Sequence, residues 1–236
     1  MVQAASEISI CVARVRGRIA QAAARAGRSP WDVHLMAAVK TRSAEEIAAV
    51  VREGVTFLGE NRVQEGEEHL EALEPALRSR CRVHFIGRLQ ANKVRKAVRA
   101  FDSVDSLDSA DLARRLDRIA GEEGLCREVM IEVNFGEEQK GGVPALMALP
   151  LVREAFALPN LSLVGLMGVP PLEEEAEASR PHYRALKRLF EEIRAVHPSP
   201  AVFRFLSMGM SHDYTVAVEE GATLVRVGTA LFGPRR

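Results

Sequence analysis

One feature constrains this chain more than any other. Short, mainly apolar runs alternate with stretches in which apolar residues recur at every third or fourth position. A run that is apolar at consecutive positions is buried on both faces, as a strand is in a parallel sheet covered by helices. Such strands are expected at residues 33–39, 56–58, 82–86, 101–104, 129–133, 161–166, 202–206 and 223–227. Helical patterns fall between them. The first follows the capping box Ser43-Ala-Glu-Glu46, carries Ile47, Val50 and Val51 on one face and ends at Gly54. Others are expected over residues 63–73, 89–98, 143–156, 183–196 and 211–220, with one more capped by Asp108 and carrying Leu112, Leu116 and Ile119.

Eight strands, each followed by a helix, predict a single (β/α)8 TIM barrel of class α/β. An extra N-terminal helix, residues 1–27, shows Ile8, Val12, Val15, Ile19, Ala22 and Ala26 at helical spacing before Gly27 stops it. The length of 236 residues suits one barrel domain spanning 1–236. A doubly wound open sheet would show a glycine-rich turn after its first strand, and Ala38-Val-Lys-Thr41 is nothing of that kind. The acidic run at residues 173–177 reads as a solvated loop leading into a helix.

Composition removes several functions. Lys and Arg number 32 and Asp and Glu 32, so no global field gathers nucleic acid. No apolar stretch is long enough to cross a bilayer, and charges interrupt the first residues where a signal peptide would have its apolar core. Three widely spaced cysteines argue for a reducing cytoplasm and against a disulfide. Six histidines without an HxxxH or HExxH pair give a metal site no support.

Barrel enzymes and binding proteins carry their sites where the strands end. The expected strand-end groups are Lys40, Gly59-Glu-Asn61, Gly87-Arg88, Asp105-Ser106, Asn134, Met167, Ser207-Met-Gly-Met-Ser211 and Gly228-Thr229. The last two lie after the seventh and eighth strands, where barrels frequently hold phosphate. Small residues, backbone N–H groups and hydroxyls at two helix starts suit an anion, with Ser211 read as an N-cap and His212 in the first turn. Lys40 ends an apolar strand, where it either snorkels its ammonium to solvent or, partly desolvated, makes a neutral amine available. Arg226 shares a strand face with Leu224, and Val225 and Val227 share the other, so Arg226 is expected to point into the barrel and to need a partner there. That partner is a ligand atom or a carboxylate. Asn61 and Asn134 either orient a ligand or satisfy their own loops. His84 reads as a hydrogen-bonded core histidine, and Arg78, Arg80 and Arg82 as a solvated run.

These segments carry a resemblance. Ala38-Val-Lys-Thr-Arg42, Gly59-Glu-Asn-Arg-Val-Gln-Glu65, His84-Phe-Ile-Gly-Arg-Leu-Gln-Ala-Asn-Lys93, Ser103-Val-Asp-Ser106, Val133-Asn134 through Lys140-Gly141, Gly165-Leu-Met167, Leu206-Ser-Met-Gly-Met-Ser-His-Asp213 and Val225-Arg-Val-Gly-Thr-Ala-Leu-Phe-Gly233 follow one another over nearly the whole chain. In them the chain resembles the pyridoxal-phosphate homeostasis proteins, which look like the barrel domain of alanine racemase without its second domain. The resemblance implies a fold-type-III site for pyridoxal 5'-phosphate (PLP), held as a covalent aldimine on Lys40. Ser207, Gly228 and Thr229 then correspond to phosphate-binding positions, Arg226 to the arginine facing the pyridine nitrogen, and Asn61 to an asparagine near the ring. One departure is local: Ala38 or Val39 and Arg42 stand where the family usually has Ser and Lys flanking the aldimine lysine.

Two readings of function follow. In the first, a cytoplasmic PLP carrier without catalytic residues serves vitamin B6 homeostasis. It binds no metal, nucleic acid or membrane, makes at most transient contact with PLP-dependent enzymes, and is monomeric. The second is a PLP-dependent amino-acid racemase, which needs a second base opposite Lys40. Only Tyr183 and Tyr214 are available, both in helical patterns, which favours the carrier. An aldolase-like barrel with Lys40 holding a sugar phosphate is disfavoured, because such lysines usually sit on strand six.

Overall fold

The computed structural model describes residues 2–137, 141–171 and 173–234, without the side chains of residues 2–5. The strands are β1 (His34–Ala38), β2 (Phe57–Glu60), β3 (Arg82–Phe85), β4 (Ser103–Leu107), β5 (Arg127–Asn134), β6 (Val143–Pro144), β7 (Leu161–Gly168), β8 (Phe205–Ser207) and β9 (Leu224–Val227). All pairings are parallel, in the order β4-β3-β2-β1-β9-β8-β7-β5-β6, and β4 also pairs with β5. That last pairing closes eight strands into the expected TIM barrel. The two-residue β6 lies outside the ring, paired with the end of β5. The helices are α1 (Val2–Arg25), α2 (Ala44–Arg52), α3 (Val63–Ala72), α4 (Pro75–Arg78), α5 (Val94–Ala100), α6 (Ala110–Glu122), α7 (Ala145–Phe156), α8 (Arg180–Val196), α9 (Tyr214–Glu219) and α10 (Thr229–Phe232).

Alternation along each strand divides two cores. Met36, Phe57, Met130, Val164, Met167, Phe205 and Leu224 fill the barrel. The opposite strand faces, such as Ala37, Leu58, Val225 and Val227, pack against the surrounding helices. At the floor of the barrel the rings of His34, Phe57, His84 and Phe205 meet, with centroids 4.9 Å apart for His34–Phe57 and 5.8 Å for Phe57–Phe205. His84 is indeed a hydrogen-bonded core histidine. Its Nδ1 lies 2.9 Å from an Asp105 carboxylate oxygen, and Asp105 also accepts from Ser103 Oγ at 2.6 Å.

The first helix packs Ile8, Val12, Val15, Ile19, Ala22 and Ala23 against α2, α9 and α10. Burying each large aliphatic side chain there contributes about 1.5–3 kcal/mol. Ala26, expected on the stripe, is exposed instead, because the helix has ended at Arg25 and Gly27 turns the chain with φ +65°. The capping box of α2 is present, Ser43 Oγ accepting from Glu46 N–H and Glu46 accepting from Ser43 N–H.

Several boundaries differ from the sequence expectation. Strand β4 begins and ends later than expected, so Asp105 and Ser106 lie within it and not beyond it. Met167 likewise lies inside β7. Helix α6 is capped by Ser109, whose Oγ accepts from Leu112 N–H, because Asp108 sits one residue too early to reach that amide. Within the basic run, Arg82 pairs with Glu128 and Arg78 donates to Cys81 O, so only Arg80 is left to solvent. Residues 173–175 form a loop, but 176 and 177 already belong to a 3-10 turn, Ala176–Ser179, that leads into α8. Among the described residues, no helix is long and apolar enough to cross a membrane.

Candidate functional site

The ends of β8 and β9 build one side of the mouth. Leu224 and Arg226 face inward, as alternation requires, and Arg226 is buried. Its guanidinium donates to Ser207 Oγ at 2.6 Å and to Gly168 O, at the end of β7, at 2.9 Å. Among the described residues no carboxylate comes within ion-pair distance of it. The sequence left its partner open between a carboxylate and a ligand; within the protein the partners are a hydroxyl and a carbonyl. Burial pushes its pKa down, opposed by the more distant acidic groups Tyr183, Asp105, Glu132 and Asp213. Glu132 is pushed the other way, upward, also by burial, with Arg226 partly restoring it.

The segment after β8 continues beside β9 although it is no longer a strand. Met208 N–H donates to Leu224 O at 3.1 Å, and Gly209 O accepts from Arg226 N–H at 3.0 Å. Gly209 has φ +91°, a turn that L side chains resist. Asp213 fixes the far end, accepting from Met210 N–H at 2.8 Å and from Ser179 Oγ at 3.2 Å. Here the structure corrects the reading of Ser211 and His212. Helix α9 begins only at Tyr214, with Asp213 in the N-cap position, and His212 lies in the preceding turn. Ser211 instead reaches across to the next strand end. Its Oγ accepts from Gly228 N–H at 3.1 Å and Ala230 N–H at 3.2 Å. The two small-residue loops are thus one structure, joined by a hydroxyl.

Both helices here are short, α10 a single turn, so local backbone N–H groups and not a long helix dipole face the mouth. Gly228 is the N-cap residue of α10, and Thr229, its first residue, is exposed. Gly228 lies beside the end of β1, where a Cβ would stand 3.5 Å from Ala38 O. Two residues beyond Ala38, Lys40 lies half-buried in the turn after β1.

That turn is strained. Thr41 has φ +62°, the one described non-glycine residue in the left-handed region, and it is β-branched. Its N–H donates to Glu65 on α3. Arg42 then latches the turn to the C-terminal segment, donating to Gly233 O at 2.8 Å and stacking 5.2 Å from the centre of the Phe232 ring. The cation kept at residue 42 therefore ties the Lys40 turn to α10.

Asn61 follows β2, which pairs with β1. Its Oδ1 is buried and has no hydrogen-bond partner in the protein. Asn134 behaves differently. Its amide donates to Glu137 O at 2.9 Å and Gly141 O at 3.1 Å, and its oxygen accepts from Gly136 and Glu137 N–H. Of the two strand-end amides, Asn134 thus satisfies its own loop and Asn61 keeps an acceptor spare. Lys140, part of the quoted motifs, lies outside the described residues.

Ser207 and Arg226 are therefore joined directly, and Gly228 is tied to the same loop through Ser211, with Lys40 and Asn61 on the two neighbouring strands. Sequence reasoning missed the Ser211 bridge and the Thr41–Glu65 clasp. Glu65 stood in a quoted motif, but nothing in linear spacing assigned it a partner 24 residues away.

A parallel barrel with these loops at its mouth is the barrel of alanine racemase-like proteins. The family model described as "Alanine racemase, N-terminal domain" matches residues 10–236. The chain is 42% identical to the pyridoxal phosphate homeostasis protein of Aquifex aeolicus over 226 residues, 95% of this chain and 97% of that one. It is 35% identical to the protein of that name from Escherichia coli K12 over 231 residues, 98% of this chain and 97% of that one. PipY of Synechococcus elongatus, solved with PLP bound, is 33% identical and superposes with a TM-score of 0.80 over 96% of this chain and all of PipY. The chain belongs to the pyridoxal phosphate homeostasis protein family.

Proposed function

We propose that this protein binds PLP in the barrel mouth as a Schiff base on Lys40 and serves intracellular vitamin B6 homeostasis without turnover of its own. The observation that carries this reading is Arg226, a buried cation that makes no ion pair among the described residues, aimed into the mouth beside Ser207. A buried guanidinium without a carboxylate is costly, and an acceptor atom of a ligand offsets that cost. The remaining residues fit the cofactor. The hydroxyls of Ser207, Ser211 and Thr229 supply donors for a phosphate, with Ser211 held in place by the Gly228 and Ala230 amides that donate to its Oγ. The spare Asn61 Oδ1 can accept a hydrogen bond from a ring substituent. When bound, PLP supplies an aldehyde that condenses reversibly with an amine, releasing water. An arginine at the ring nitrogen keeps that nitrogen unprotonated, since two adjacent cations are disfavoured, and so makes the ring a weaker electron sink. The relatives named for PLP homeostasis, and PipY with PLP bound, support the same reading.

A racemase would need a second base, and the two tyrosines are placed badly for it. Tyr183 and Tyr214 are buried in helices, and burial pushes both phenols up, away from the ionised form. The whole chain then acts as one PLP-binding domain, monomeric and cytoplasmic, with PLP passed to dependent enzymes by transient contact. Purified protein incubated with PLP is expected to gain a visible absorbance band, trapped on Lys40 by borohydride and absent in Lys40→Ala. Protein that stays colourless with PLP refutes the binding site. Lys40-dependent interconversion of L- and D-alanine, read by chiral chromatography, refutes the carrier assignment.

A further inference from the structure

A cavity opens on the rim of the mouth, at the ends of β2 and β3. Its volume is about 780 Å3; of the strand-end groups named above Asn61 and Arg88 line it, and Lys40, Ser207, Arg226, Gly228 and Thr229 do not. Its walls are the loop after β2 with the first residues of α3, and the loop between β3 and α5. Three cations line it: Arg62, Arg88 and Lys93. None of the three has a hydrogen-bonding or ion-pair partner among the described side chains. The outward cations of α5 are used differently. Arg95 pairs with Glu122 and Glu123, Lys96 with Glu67, and Arg99 with Glu123.

The nearby carboxylates of α3 have partners other than these three cations. Glu65 accepts from Thr41 N–H, Glu67 holds Lys96, and Glu68 accepts from Gln64. Glu132, inside the barrel, feels Arg88 only at a distance. Helix α3 begins in the cavity wall, at Val63 and Gln64, with no side-chain cap on its first amides. Positive charge from three side chains is therefore added to the positive end of a ten-residue helix. Phe85 and Leu89 give the same cavity an apolar side. Three cations that line one cavity and have no ion-pair partner among the described residues repel one another, and an anion relieves that repulsion.

We propose that this rim cavity binds a phosphorylated small molecule carrying at least two negative charges, independently of the PLP site. The cavity has the volume of a small-molecule site, within the usual range of roughly 300–1,000 Å3. Arg88 and Lys93 grip the anionic group, Arg62 closes it from the α3 side, and Phe85 and Leu89 receive the apolar part of the ligand.

Inorganic pyrophosphate is the probe, titrated calorimetrically into the full-length protein, PLP-free and PLP-saturated, at low salt. Binding to both forms is expected, weakening as salt rises. Arg88→Ala and Lys93→Ala should each lower affinity about twofold to fivefold, as exposed charge pairs do, and the double variant further. Arg95→Ala, a cation of the same region outside the cavity, should leave it unchanged. Binding seen only without PLP would place pyrophosphate in the barrel mouth and overturn the proposal. Absence of binding, or binding indifferent to the Arg88→Ala, Lys93→Ala double variant, overturns it too. Loss of PLP binding alone leaves these readouts intact, so the two sites are judged separately.

Discussion

Two glycines at the mouth separate the demands of the fold from those of the ligand. At Gly87, just past β3, a Cβ would stand 2.2 Å from Asn61 O and 2.9 Å from the Asn61 carbonyl carbon and Cα. All three are backbone atoms, so no side chain can swing aside. To reach ordinary contact the Asn61 backbone must retreat by about 1 Å against packed neighbours, an overpacking that costs about 2 kcal/mol. At Gly228 the nearest atoms to a Cβ are Ala38 O at 3.5 Å and Ala38 Cβ at 3.6 Å, ordinary contacts, and φ is −115°. Alanine there should change the stability of the PLP-free protein by no more than about 0.5 kcal/mol. Yet it places a methyl in the loop proposed to hold the phosphate, beside the Ser211 hydroxyl, and should weaken PLP binding about tenfold, the equivalent of about 1.4 kcal/mol. Urea denaturation of the PLP-free proteins and absorbance titration with PLP test the pair. Gly87→Ala should lower the melting temperature by about 4–8 °C for a chain of this size, and Gly228→Ala should not. A Gly87→Ala protein with the wild-type urea midpoint and slope refutes the steric reasoning. A Gly228→Ala protein as unstable as Gly87→Ala refutes the division of roles.

Three further outcomes are expected. Ser211→Ala leaves the Gly228 and Ala230 amides without their acceptor, and should cost about 1–3 kcal/mol of stability in urea while loosening PLP. His69 is held above its ordinary 6.5 by its hydrogen bond to Glu60, and Glu60 is held above 4.5 by burial. In both cases the folded state binds the proton more tightly. The His69 contribution is therefore fully present below pH 6.5 and lost as pH rises through the raised folded value, so the urea midpoint should fall on that rise and His69→Gln should flatten the fall. Of the thiols, exposed Cys126 should react with an aromatic disulfide reagent in the native protein. Cys81, buried and with its pKa pushed up by burial, should react only on unfolding.

The barrel was legible because its cause is periodic. Continuous apolar strands such as residues 33–39 and amphipathic helices such as α8 leave few ways to bury both strand faces, and parallel closure is the one with no exposed edge. The inward direction of Arg226 was legible for the same reason, since alternation along β9 needs only the identity of Leu224, Val225 and Val227. Element ends were less so. The choice between Asp108 and Ser109 as the cap of α6, or the delayed start of α9, turns on which side chain reaches which amide. That is a matter of one residue of backbone geometry and leaves no periodic trace.

The candidate site divides along the same line. The sequence by itself determined that Lys40, Asn61, Ser207, Arg226, Gly228 and Thr229 lie at or near strand ends on one side of a barrel, because chain order and strand period alone place them there. Only the tertiary structure decided their connections: Arg226 to Ser207 and the Gly168 carbonyl, Ser211 across to the Gly228 and Ala230 amides, Glu65 to the strained Thr41 turn. These bonds join residues up to 58 positions apart. Such a bond depends on which strands become neighbours when the ring closes and how far each loop reaches, and no local pattern encodes either distance.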